Sequence, residues 1–148
     1  MTAQTPLTGT WTLLDWVNTD ADGQVTHPFG PHPTGLICYA PSGHFFVHIA
    51  RADRPCTTAP DPFSGTPAED SAAMKSLISY AGTFTDRGDH VLHHVTHASH
   101  QPWVGGDQRR EVQMSGDRLT LSAEGIMLAG KPVTARLDWQ RAPDARSA

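Results

Sequence analysis

Thr34-Gly35-Leu36-Ile37-Cys38-Tyr39-Ala40-Pro41-Ser42-Gly43-His44-Phe45-Phe46-Val47-His48-Ile49-Ala50 reads as two short β-runs with a turn signal between them. β-Branched and aromatic residues favour a pleated, half-buried surface, and Pro41-Ser42-Gly43 supplies turn chemistry. The segment predicts an antiparallel hairpin of Thr34 to Tyr39 with His44 to Ala50. In the second run His44, Phe46 and His48 share one phase, and Phe45, Val47, Ile49 and Arg51 the other. Both phases are apolar, so alternation alone does not orient this strand.

The same pattern recurs outward from the hairpin. Upstream, Gly9 to Asn18 reads as a strand with Trp11 and Leu13 on one face and Leu14 and Trp16 on the other. Asp20-Ala21-Asp22-Gly23 is a turn, and His27 to Pro33 is a Pro- and Gly-rich loop. Downstream, Arg51 to Gly65 is Pro-rich and irregular. Thr66-Pro67-Ala68-Glu69 then supplies an N-cap, Pro at the first helical position and Glu three residues after the cap. Ala73, Met74, Leu77 and Ile78 follow at helical spacing and predict a helix over about 67–79. Alternation resumes in Tyr80 to Thr85 and His90 to Ser99, which flank Asp86-Arg87-Gly88-Asp89. Gln108 to Met114 and Arg118 to Ser122 flank Ser115-Gly116-Asp117, a second hairpin signal. Val133 to Arg141 is the last predicted strand, and 142–148 reads as a frayed tail. Eight or nine short strands in meander order predict an all-β, antiparallel up-and-down barrel that removes its own sheet edges. One domain is expected over 1–148, with its core over about 8–141.

Bulk properties narrow the function classes. The 148 residues are 38% hydrophobic and 18% charged, with a net charge of -4 and no Lys/Arg run, which argues against a nucleic-acid partner. Met1-Thr2-Ala3-Gln4-Thr5-Pro6 does not read as a signal peptide, and no segment approaches the roughly 18 apolar residues of a membrane span. Cys38 and Cys56 form neither a disulfide framework nor a metal motif. A cytoplasmic protein with free thiols, no membrane partner and no cofactor is expected, as a monomer or a face-packed homodimer. No phosphate-binding Gly loop, nucleotide fingerprint or nucleophile elbow occurs, so covalent catalysis is not expected.

Several segments together resemble the small bacterial and fungal lipocalin-like domain family over nearly the whole chain. They are Gly9-Thr10-Trp11-Thr12-Leu13, Gly35-Leu36-Ile37-Cys38-Tyr39 leading to Gly43, Arg51-Ala52-Asp53-Arg54-Pro55, Ser79-Tyr80-Ala81-Gly82, His93-His94-Val95, Pro102-Trp103-Val104-Gly105, Gln108-Arg109-Arg110 and Gly116-Asp117-Arg118-Leu119-Thr120-Leu121. The resemblance implies a barrel with a hydrophobic cavity. It also implies that Trp11 sits at a closed end under a basic residue of the last strand, for which Arg141 is the candidate, in a cation–π contact. The absence of a disulfide pair and of a recognisable signal peptide departs from secreted lipocalins and argues against an extracellular carrier. Related barrels serve as carriers, or as cyclases and isomerases in natural-product pathways.

The polar residues of the later strands are the candidates for chemistry. Arg110 shares a phase with Val112 and Met114, so it rides the apolar face, where a guanidinium needs an acid, a carbonyl or an anionic ligand. His93 shares a phase with Val91, Val95 and His97, whereas His94 lies with Leu92 and Thr96; the valines favour His93 inward and Leu92 favours His94. An inward imidazole suits general acid–base work near neutral pH, or else a hydrogen-bonded core position. Tyr80 either reaches the cavity with its hydroxyl or anchors the helix. His93, His94, Arg110 and Tyr80 are the candidate catalytic residues. Trp103, Phe46, His48, Arg51 and Gln108 are the candidate ligand-binding residues, with Arg51 and Arg54 around Asp53 forming either a loop salt bridge or a lid. His93 and His97 would need His44 or His48 to hold a metal, and no compact ligand motif is present, so no metal site is expected.

The expected function is recognition of a small, largely apolar molecule bearing an acidic or carbonyl group. A cofactor-free isomerase or cyclase of polyketide- or terpenoid-type secondary metabolism is the preferred form. A non-catalytic intracellular carrier is the alternative, and a filled-barrel interaction module the third.

Overall fold

Alternating segments become nine strands and one helix in a computed structural model that describes residues 4–147. The strands are β1 (Gly9–Asp20), β2 (Val25–Thr26), β3 (Thr34–Tyr39), β4 (His44–Ala50), β5 (Leu77–Asp86), β6 (His90–Ala98), β7 (Asp107–Ser115), β8 (Arg118–Leu128) and β9 (Lys131–Arg141). All pairings are antiparallel; the order runs β2-β1-β3-β4-β5-β6-β7-β8-β9, and β1 also pairs with β9. Eight strands thus close into a barrel, and short β2 hangs on the far half of β1. The predicted all-β, lipocalin-like barrel is what the chain forms.

Closure decides which phase of each strand faces inward. Phe45, Val47 and Ile49 of β4 point into the core, while His44, Phe46 and His48 point out. Bulges then change the phase where the sequence pattern runs straight. On β1 the register slips between Leu13 and Asp15, so Leu14 is left outside and Trp16 rejoins Trp11 and Leu13 in the core. The sequence assignment of Trp11 and Trp16 to opposite faces is therefore corrected. On β8 the slip between Ala123 and Ile126, with Gly125 at φ 67°, carries the strand past its predicted end at Ser122 and returns Ile126 and Leu128 to the inside.

The helix is shorter than its spacing suggests. Helix α1 spans Pro67–Met74, opened by a complete capping box between Thr66 and Glu69. It stops there because Leu77 and Ile78 pair with Ala50 and Ile49 as the start of β5, where sheet hydrogen bonds override a helix-compatible pattern. No residue of α1 is buried, so its apolar stripe does not join the core. The described part of the predicted tail carries a 3₁₀ turn at Ala145–Ser147; residue 148 lies outside the described residues.

One barrel end is tightly plugged. The Trp11 indole donates to the Leu7 carbonyl at 2.9 Å, and the Arg141 guanidinium stacks 4.1 Å from the indole centroid. Arg141 also donates to the carbonyls of Thr8 and Pro6, each at 2.9 Å. Gly9 is required beside it: its φ is 129°, and a Cβ there would meet the Arg141 Nη1 at 2.9 Å. The longer connections (21–33, 51–76 and 99–106) gather at the opposite end.

Candidate functional site

β7 alternates regularly, and Gln108, Arg110, Val112 and Met114 take its inner phase. Arg110 then meets a cavity of about 60 Å³ that it shares with Tyr80 of β5, His93 of β6, Trp139 of β9 and Trp103 from the 3₁₀ turn Gln101–Trp103. The rest of this lining is aliphatic or indole, including Trp16, Ile37, Ile78, Leu121 and Leu137. One water needs about 10–15 Å³, so there is room for a few waters.

Arg110 enters this cavity without a carboxylate partner among the described residues. Its Nη2 donates to the Gln108 Oε1 at 2.8 Å and its Nη1 to the Arg109 carbonyl at 2.9 Å, so neutral groups hold it in place. The acid nearby is taken by its outward neighbour: Arg109 pairs with Glu111 at 2.6 Å. A guanidinium with five N–H donors thus keeps both free donors and an unneutralised charge beside an apolar space.

His93 is fully buried at 0% exposure, stacked on Phe45 with ring centroids 4.3 Å apart. Its Nε2 lies 2.7 Å from the Tyr39 hydroxyl, and its Nδ1 has no partner. Burial first, and then the positive charge of Arg110, push the imidazole down to about 3, so it stays neutral near pH 7. Burial likewise raises the Tyr39 hydroxyl well above the ordinary phenol range, with Tyr80 adding to the rise and Arg110 opposing it. The Tyr80 hydroxyl is also raised by burial, partly offset by the charge of Arg110. Two neutral phenols, a neutral imidazole and one cation therefore converge. Chemically this set can bind and polarise an oxygen; it offers no basic group of ordinary strength.

The remaining sequence candidates fall elsewhere. His94 lies on the outer phase, held by Asp107 at 2.8 Å and Thr85 at 2.9 Å, so it does not reach the cavity. Phe46 is 56% exposed on the outer wall, and His48 lies on the same outward phase, because β4 buries Phe45, Val47 and Ile49 instead. Neither can hold a ligand in the cavity. Arg51 is outside the lining and forms the loop salt bridge, bound to Asp53 at 2.9 Å and to the Pro28 carbonyl at 3.3 Å. Gln108 acts on the site through Arg110. Trp103 does line the cavity, edge-on to Tyr80 at 5.5 Å. His97 leaves the inner face because a bulge between Ala81 and Gly82 flips the end of β6, so His93 is separated by the barrel wall from His44, His48 and His97. A Cβ on Gly82 would collide with the His94 carbonyl oxygen, which is why glycine stands at this bulge.

Sequence reasoning misses Tyr39 and Trp139. Tyr39 shares the phase of Ile37, which marks it as a core residue, but nothing local connects it to a histidine 54 positions away. Trp139 stands out in the sequence only as a near neighbour of Arg141.

Among the described residues, no helix is long and apolar enough to cross a membrane. In comparisons with known proteins, the chain is 29% identical over 106 residues to the 4′-hydroxy-3′-methoxypropiophenone carrier protein of Aspergillus oryzae, an alignment spanning 66% of this chain and 96% of that protein. The family model of the lipocalin-like domain matches residues 8–142, nearly the full span of the barrel and its plug. The chain belongs to the lipocalin-like domain family.

Proposed function

We propose that the chain is a non-catalytic carrier of a small, largely apolar molecule with a carbonyl or acidic oxygen, an aryl ketone or phenol being the class suggested by its relative. Family membership and the carrier name of that relative both support small-molecule binding. The observation that carries the reading is Arg110: a cation with no carboxylate partner among the described residues, aimed with Tyr80 and His93 at an apolar cavity. Such pockets, mostly apolar with a few convergent polar groups, suit small organic ligands. The depressed basicity of His93 favours a carrier over an enzyme, because an imidazole pushed down to about 3 removes protons poorly at pH 7.

Arg110→Gln tests it. Indole fluorescence of Trp16, Trp103 and Trp139 reports titration with 4-hydroxyacetophenone. Wild type is expected to bind with quenching and a raised Tm, and Arg110→Gln to bind about ten- to a hundredfold more weakly, as loss of a hydrogen bond to a charged group implies. Equal affinity in the two proteins rejects the role given to Arg110.

A cofactor-free isomerase or cyclase is the second reading, favoured by the Tyr39–His93 hydrogen bond at 2.7 Å, which links a phenol to the cavity wall. There Arg110 would stabilise an enolate-like charge and the phenols would manage a proton. Exchange of α-protons of a bound ketone in D2O, followed by NMR, separates the two: a carrier leaves the solvent rate unchanged.

A further inference from the structure

We infer that the cavity has a second polar anchor, the indole N–H of Trp139, and that its ligand carries two oxygen functions, one for Arg110 and its neighbours and one for Trp139. The inference rests on the small-molecule reading above and adds what the second end of that molecule must be.

Indoles show the contrast most directly. Trp11 Nε1 donates to the Leu7 carbonyl at 2.9 Å, and Trp16 Nε1 donates to the Asn18 Oδ1 at 2.8 Å. Trp139 is as deeply buried, at 1% exposure, yet its Nε1 has no partner. Buried side-chain donors are nearly always bonded, and an indole N–H can only donate. Its strand neighbours in register, Leu13 and Leu119, offer no side-chain acceptor. The other unpartnered buried side-chain atom among the described residues is His93 Nδ1, and both residues line the same cavity. Two residues that line one cavity each keep an unpartnered polar atom, which an occupant with polar atoms of its own would satisfy.

Topology sets the spacing of those atoms. Around the closed ring of eight strands, β9 lies across from β5, so Trp139 faces the wall that carries Tyr80, with His93 on the next strand. An occupant bonded to both walls spans the apolar space between them. The donor-only indole requires an acceptor: an ether, hydroxyl or carbonyl oxygen, never an ammonium or a hydrocarbon end. The inferred ligand class is therefore a molecule with a ketone or acid at one end and an oxygen acceptor at the other, and the aryl ketones of the proposed function are the members to test. A site that hydrogen-bonds a substituent discriminates strongly against an analogue lacking it, because its own group is then left unpaired.

A matched pair of probes tests this, 4-methoxyacetophenone and 4-ethylacetophenone, which differ by one oxygen in place of a methylene. Calorimetric titration of wild type and Trp139→Phe gives the ratio of the two affinities in each protein. The greater hydrophobicity of the ethyl probe is common to both proteins, so the change in ratio is the readout. Wild type is expected to favour the methoxy probe about tenfold more than Trp139→Phe does. The ¹⁵N-resolved indole resonance of Trp139 should move downfield with the methoxy probe alone, which decides the matter on wild type if the variant misfolds. Unchanged ratios with an unmoved resonance mean that water or nothing satisfies the indole, and overturn the second anchor while binding stands. Binding of neither ketone overturns the small-molecule reading and the anchor with it.

Discussion

His93 shows how one buried side chain couples function to stability. Its imidazole is depressed from 6.5 to about 3 by burial and by the charge of Arg110. Between those values the unfolded chain binds a proton that the folded chain does not, so folding stability falls as pH drops from about 6.5 towards 3 and is fully present above 6.5. Each tenfold displacement of a protonation equilibrium corresponds to about 1.4 kcal/mol, so the loss amounts to a few kcal/mol. His93→Phe, which keeps a ring against Phe45, should flatten that slope while lowering stability at pH 7 by leaving the Tyr39 hydroxyl unpaired. Urea midpoints at pH 4 to 8 for both proteins check it; parallel slopes would refute a buried, neutral His93. Val91 and Val95 favoured an inward His93 while Leu92 favoured His94, so alternation left the choice to the structure. The partner Tyr39 was not readable at all, since alternation says nothing about which strands meet across a barrel.

At the scale of elements, helix α1 and the bulged strands illustrate opposite kinds of information. The capping box of α1 is legible in Thr66 and Glu69 because its bonds are local, and both form as read. Its end is not legible, since Leu77 and Ile78 join β5 through partners on β4. With no buried residue, α1 is held at its C-terminal end by Ser76, which donates to the Ala73 carbonyl at 2.7 Å and accepts from Arg54 at 2.9 Å just before β5 begins. Thr66→Ala should therefore cost about 1 kcal/mol of helix stability and little of the barrel's. Hydrogen exchange is expected to accelerate over Asp70 to Ser76 with Tm nearly unchanged; a Tm drop matching the full cost would show that helix and barrel melt as one unit. The bulges at Leu14, Thr96 and Glu124-Gly125 resist sequence reading for the converse reason: each inserts residues that only the partner strand's register reveals.

For the whole molecule, the two ends of the barrel divide the work. Trp11 and Arg141 close one end, joining strands more than a hundred positions apart, as the Gly-x-Trp resemblance implied. Arg141→Leu removes the cation–π contact and two hydrogen bonds to carbonyls, and is expected to cost about 1–2 kcal/mol, because the guanidinium is partly exposed. Tm should fall by several degrees while ketone affinity stays within about twofold, because the cavity is lined by other residues. Calorimetry and the fluorescence titration read both quantities on one sample. A large loss of affinity would show that the plug and the cavity are mechanically coupled.

What the sequence determined by itself is local: the β-runs, the turns, the capping box and the inner phase of Arg110. These follow from φ/ψ preferences and period-2 alternation, which act within a few residues. Only the tertiary structure decided which phase of β4 faces the core, sending Phe46 and His48 outward, and which residues complete the cavity. Tyr39 against His93, and Trp139 across from Tyr80, exist because closure between β1 and β9 fixes the register of every strand at once. That is a property of the ring, and no single strand encodes it.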